Sequence, residues 1–95
     1  MESQRPRAWV RSSAHEKVIE ILVDLRKQAG LTQRDLASRL ETRQSLIARL
    51  EAGQRALTFL EFVAICEGLG IPPATILERV LAEVPLSDRA RAFPG

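Results

Sequence analysis

Apolar side chains recur along this chain at three- and four-residue steps in five separate stretches, the spacing of one buried face on an α-helix. In the first, Val18, Ile21, Leu22 and Leu25 stand at i, i+3, i+4 and i+7 behind Ser13-Ala14-His15-Glu16, which has the capping-box pattern. That spacing predicts a helix to about Ala29, stopped by Gly30. Thr32 to Asp35 is a second capping box and opens a helix ending near Leu40, with Leu36, Ala37 and Leu40 inside. Thr42 is placed to cap a third helix that ends at Gly53, with Ile47 and Leu50 inward and Leu46 at the margin. Thr58 to Glu61 is a third box, and the fourth helix turns Phe59, Phe62, Val63, Cys66 and Leu69 inward before stopping at Gly68 to Gly70. Pro72 and Pro73 suit the N-terminal edge of a fifth helix, where a missing N–H loses no bond. Ile76, Leu77, Val80, Leu81 and Val84 give that helix a wide apolar stripe, and Pro85 ends it. No strand pattern, internal repeat or low-complexity tract appears.

Composition narrows the picture. Ninety-five residues make one domain with a modest core, so a partner subunit would add stability. The single Cys66 excludes an intramolecular disulfide and fits a reducing compartment. No run of eighteen apolar residues is present, and the N-terminus has no apolar signal region, so a cytoplasmic location without membrane contact is expected. Enzymatic activity is not expected. His15 is the sole histidine and reads as an exposed residue near a helix start, while Cys66 lies on an apolar stripe. No second Cys or His completes a metal site, no glycine-rich phosphate loop occurs, and nothing calls for a cofactor.

Charge adds a direction. The net charge is +2, but residues 26–55 hold seven basic and three acidic side chains, and residues 1–15 three basic and one acidic. Residues 16–25 and 56–82 are each net negative. A local basic excess of this kind suits displacement of counterions from nucleic acid. Residues 1–12 read as a flexible basic arm, in which Arg5, Arg7 and Arg11 could follow a groove or the DNA backbone.

The basic excess coincides with the segment from Gly30 to Gly53, two short helices around a tight turn with polar side chains opening the second. Such a pair lays its second helix in the major groove of DNA. Leu31-Thr32-Gln33, Leu36-Ala37, Leu40, Gln44-Ser45, Ile47, Glu51, Gly53, Arg55 and Leu69-Gly70 stand at ungapped family spacing. On these residues the segment 22–77 resembles the Cro/repressor-type (XRE) helix-turn-helix family of bacterial and phage transcriptional regulators. The resemblance implies an all-α, five-helix lambda-repressor-like domain over residues 13–84, with the motif at 32–52, a dimerising helix at about 73–84 and a tail at 85–95. Three positions depart from the family pattern. Glu41 stands where the turn most often has glycine, Thr42 replaces an apolar residue, and Leu57 replaces a proline. A left-handed backbone at Glu41 would cost about 1–2 kcal/mol and favours an altered turn.

Candidate contacts follow from residue chemistry. Gln44, at the start of the third helix, suits the N6/N7 edge of adenine. Arg49, about one and a half turns further, suits guanine O6/N7 or a phosphate, and Arg43 and Ser45 flank Gln44 within reach of bases or backbone. Thr32 and Gln33, at the start of the second helix, and Gln54 and Arg55, just past the third, suit phosphates. By resemblance, Arg26 and Glu51 form a buried structural ion pair. Ile76, Val80, Leu81 and Val84, extended by Leu57 and Leu60, are the expected dimer interface, because two adjacent apolar rows exceed what docks one helix.

The function expected is sequence-specific binding of double-stranded DNA by a homodimer at a palindromic operator, as a small transcriptional repressor. Mobile-element regulators, restriction–modification controllers and autoregulating antitoxins are all of this type. The alternative is a protein-interaction module, such as an antitoxin whose tail from Leu86 to Phe93 folds on a toxin partner.

Overall fold

The computed structural model describes residues 13–85, which form five helices. These are α1 (Ser13–Gln28), α2 (Gln33–Arg39), α3 (Gln44–Glu51), α4 (Phe59–Gly68) and α5 (Pro73–Glu83). The expected arm and most of the tail lie outside the described residues.

Capping sets the boundaries. Thr32 accepts from the Asp35 N–H and Asp35 accepts from the Thr32 N–H, so both halves of the box opening α2 are made. Thr58 and Glu61 do the same for α4. Each reciprocal pair satisfies two N–H groups that a helix start leaves without intrahelical partners. The first four helices end alike, with a left-handed residue whose flanking N–H groups return to the last turn. At α3 this is Gly53, with φ +74° and Gln54 donating to the Arg49 carbonyl at 3.0 Å. At α2 it is Glu41, with φ +54° and Thr42 donating to the Ala37 carbonyl at 2.9 Å. The turn between α2 and α3 is therefore the left-handed one, held despite its non-glycine residue.

Two capping details differ from the sequence reading. Ser13 is already helical in α1 rather than preceding it. Arg43, not Thr42, is the N-cap of α3, and it makes no side-chain cap bond. The Thr42 N–H is occupied in closing α2, which places Thr42 in the turn one residue too early to cap α3.

The core gathers Ile21 and Leu22 of α1, Leu36 and Ala37 of α2, Ile47 and Leu50 of α3, Ile65 and Cys66 of α4, and Ile76, Val80 and Val84 of the last segment. Burial pushes the Cys66 thiol up to about 11, so it stays protonated and inert. Packing between α2 and α4 depends on Gly68. A Cβ there would lie 2.9 Å from Leu40 Cδ2 and 3.2 Å from Leu36 Cδ1. A side chain there would require the Leu40 and Leu36 methyl groups to shift.

The inner faces of α4 and α5 depart from expectation. Phe59 is 75% exposed, whereas Ile65 is buried in its stead. Phe59 occupies the first position of α4, at the rim of an apolar groove lined also by Ala14, Val18, Leu57, Phe62 and Leu77. On α5, Ile76, Val80 and the following Val84 are buried in the core of the single chain, and Val80 and Val84 also line the floor of that groove. One row suffices to dock α5, and this is that row. Leu77 and Leu81 of the next row are 48% and 49% exposed. His15 is half-buried rather than exposed, because the segment between α3 and α4 folds against the first turn of α1. Its Nε2 accepts from the Leu57 N–H at 3.2 Å.

Candidate nucleic-acid interface

The site grows outward from a charge pair. Arg26 is buried near the end of α1, and Glu51 is the last residue of α3. Arg26 donates through Nε to Glu51 Oε2 at 2.6 Å and through Nη2 to Oε1 at 2.9 Å. Its Nη1 donates to the Leu31 carbonyl at 2.7 Å, holding the turn that leads into α2. Parallel charge-assisted bonds of this kind are short and geometrically demanding. The pair thus fixes α1 to both helices of the helix-turn-helix.

Two glutamines carry this order to the surface. Gln33, the first residue of α2, donates through Nε2 to Glu51 Oε1 at 2.9 Å. Gln44, the first residue of α3, donates through Nε2 to Gln33 Oε1 at 2.8 Å. Gln44 keeps its carbonyl oxygen and a second amide hydrogen, the pair of groups that an adenine edge requires. Arg43 at the N-cap, and Ser45 and Arg49 on the same short helix, are exposed around it. Ile47 and Leu50 of that helix face the core, so the polar residues are turned outward by the burial of their neighbours.

An open cleft of about 520 Å³ runs beside this row, lined by Lys27, Thr32, Gln33, Arg34 and Gln44 among others. Lys27 and Arg34 are exposed, and the cleft brings their charge next to the glutamines. In the sequence, Lys27 and Arg34 are visible only as part of the local basic excess and not as members of a site.

Several of the remaining polar residues make bonds within the chain. Arg55 is paired with Glu61, with Nη1 2.8 Å from Oε1 and Nη2 2.7 Å from Oε2. The Arg55 guanidinium holds the Glu61 carboxyl down to about 2, and Glu61 simultaneously accepts from the Thr58 N–H. Arg55 therefore supports the start of α4. Thr32 spends its hydroxyl acceptor on the cap of α2, and the Thr32 N–H that Asp35 accepts lowers the Asp35 carboxyl from its usual range. Gln54 is exposed just past α3. Arg39 donates to the Gly68 carbonyl at 2.8 Å, tying the last turn of α2 to the end of α4. Among the described residues no cluster of His, Cys, Asp or Glu is arranged to hold a metal ion, and no single helix is long and apolar enough to cross a membrane.

Residues 22–76 match the helix-turn-helix family, more than half of the chain. A solved XRE-family like protein from Pseudomonas syringae pv. tomato str. DC3000 is 33% identical with a TM-score of 0.72, over 77% of this chain and 89% of its own. The clp gene regulator ClgR from C. glutamicum shares the fold at 23% identity and a TM-score of 0.66, over 77% of this chain and 95% of its own. No curated protein matches the chain. The chain belongs to the XRE-type helix-turn-helix family of DNA-binding transcriptional regulators.

Proposed function

We propose that the protein is a homodimeric, sequence-specific repressor that reads a palindromic operator with α3. The observation that carries this reading is the outward row on α3: Gln44 held by Gln33 at the helix start, with Arg43, Ser45 and Arg49 exposed around it. Gln44 reads adenine and Arg49 reads guanine, with Arg43 and Ser45 beside them. Gln33, Thr32 and Gln54 lie along the backbone, joined by Lys27 and Arg34 from the neighbouring cleft.

A single α3 reads only a few base pairs, whereas a two-fold pair reads two half-sites about one helical turn apart. Leu60, 75% exposed, with Leu77, Leu81 and the half-buried Leu57 supply the self-complementary face for that pair. Ile76, Val80 and Val84 support it from beneath. Selection of bound duplexes from a random pool tests the reading directly. An inverted repeat is expected, and Gln44→Ala and Arg49→Ala should each weaken binding by about 1–3 kcal/mol at separate base pairs. Selection that returns no enriched sequence overturns it.

A further inference from the structure

Gln44 and Glu51 stand at opposite ends of α3, yet hydrogen bonds through α2 connect them. Glu51 Oε1 accepts from Gln33, and Gln33 Oε1 accepts from Gln44. An ionised carboxylate accepts and never donates. Gln33 must therefore turn its NH₂ toward Glu51, which leaves its carbonyl oxygen facing Gln44. Gln44 must in turn offer an N–H to that oxygen. The direction of both amides is dictated by one negative charge, itself held by two bonds from the buried Arg26. A surface amide is otherwise free to turn over and exchange its oxygen and nitrogen.

We infer that Glu51 is a specificity-positioning residue: by anchoring the Gln33 and Gln44 amides in place as well as in polarity, it decides which strand carries the adenine at the base pair Gln44 reads. This rests on the reading of Gln44 as a base contact. Across the major groove, an A·T pair shows an N7 acceptor, an N6 donor and then the thymine O4 acceptor and methyl group, and T·A shows the same groups in reverse. A glutamine anchored in place as well as in polarity sets its N–H on N7 and its oxygen on N6 of A·T, and on T·A meets the methyl group where N7 stood, with the matching O4 and N6 one step along the groove. A glutamine released from the relay makes that step, or turns over onto N6 and N7, and accommodates both pairs.

The test is binding of the full chain to duplexes that differ only at the base pair whose preference Gln44→Ala removes. The wild-type protein should prefer A·T over T·A there by about tenfold or more. The double variant Arg26→Met with Glu51→Met removes both charges at similar volume and leaves no unpaired buried ion. It should bring that ratio to within about threefold of one while the preference at the Arg49 base pair persists. A folded double variant that keeps the full ratio, or that loses affinity equally at all four base pairs with the ratio intact, overturns the inference. Gln33→Met breaks the relay in its middle and leaves the ion pair whole, so it serves if the double variant does not fold. Loss of the ratio is again expected, and an unchanged ratio again overturns the inference. If Gln44→Ala leaves base preference untouched everywhere, the base-contact reading fails and the inference falls with it. If Gln44→Ala flattens the preference but the relay variants do not, only the role of Glu51 is lost.

Discussion

Replacing Glu41 with glycine should stabilise this protein, although no contact in the folded state is gained. Glu41 holds φ +54° in the turn between α2 and α3, and its exposed side chain makes no hydrogen bond or ion pair among the described residues. The left-handed backbone costs an ordinary L-residue about 1–2 kcal/mol, because Cβ crowds the following carbonyl oxygen. Glycine removes that strain but adds about 0.5–1 kcal/mol of chain entropy to the unfolded state. The difference favours Glu41→Gly by about 0.5–1 kcal/mol. In a domain of this size that is a rise in Tm of about 3–6 °C. Glu41→Asn should fall between the two, and Glu41→Val below the wild type, since a β-branched residue tolerates this region worst. Gly53→Ala is the matched control. Gly53 has φ +74° with open space around its Cβ position, so alanine there meets the same strain of about 1–2 kcal/mol, offset by about 0.5–1 kcal/mol of unfolded-chain entropy, for a net loss of about 0.5–1 kcal/mol. Denaturant titrations at constant m-value read all four variants. A Glu41→Gly protein no more stable than wild type, beside a destabilised Gly53→Ala, would refute the strain argument at Glu41.

Three further outcomes follow from other parts of the molecule. Leu81→Glu should give a folded monomer with much weaker operator binding, whereas Val80→Glu should unfold the chain, because Leu81 is half exposed and Val80 is buried. Sedimentation and circular dichroism separate the two, and a dimeric Leu81→Glu protein defeats the interface. The lowered carboxyl of Glu61 is a stability term present above its unfolded value of 4.5 and lost as pH falls toward about 2. Thermal melts of Glu61→Gln should accordingly show a shallower decline than wild type across that window, and parallel curves would contradict the Arg55–Glu61 pairing. Arg43→Ser should supply the missing cap on α3 and stabilise the fold by about 0.5–2 kcal/mol, while weakening DNA binding. Equal or better binding would remove Arg43 from the reading surface.

The parts of the structure legible in the sequence are those that a local rule encodes. Thr32-Asp35 and Thr58-Glu61 announce two helix starts because a capping box lies within four residues. Leu36, Ala37, Ile47 and Leu50 are inward because their spacing follows the helical period. What period and caps do not encode is which distant groups meet. The bonds from Leu57 to His15, from Arg39 to Gly68 and from Arg55 to Glu61 join residues that share no periodic relation. The same holds for Gln33 and Gln44, each chosen as a separate contact, with nothing in the spacing to show that they bond to each other. For α5 the pattern identified two apolar rows but not which one docks. That choice depends on how α5 lies against α1 and α4, a tertiary matter.

The places where this chain departs from local rules are concentrated in one short segment. Glu41 takes a conformation suited to glycine, and two residues later Arg43 occupies a cap position without a capping bond. Gln44 then binds Gln33 at a surface that faces open solvent. The boxes opening α2 and α4 are closed, and the other left-handed positions among the described residues are glycines. Natural sequences tolerate such conflicts where another requirement competes with stability. An eight-residue helix like α3 does not persist alone in water, so its order must come from its attachments. Those attachments are Ile47 and Leu50 in the core, the Arg26–Glu51 pair at its end and Gln33 at its start. A helix secured in this way no longer needs its own cap. That leaves Arg43 free to present a charge where serine or aspartate would have served the fold better, at the edge of the surface proposed to read DNA.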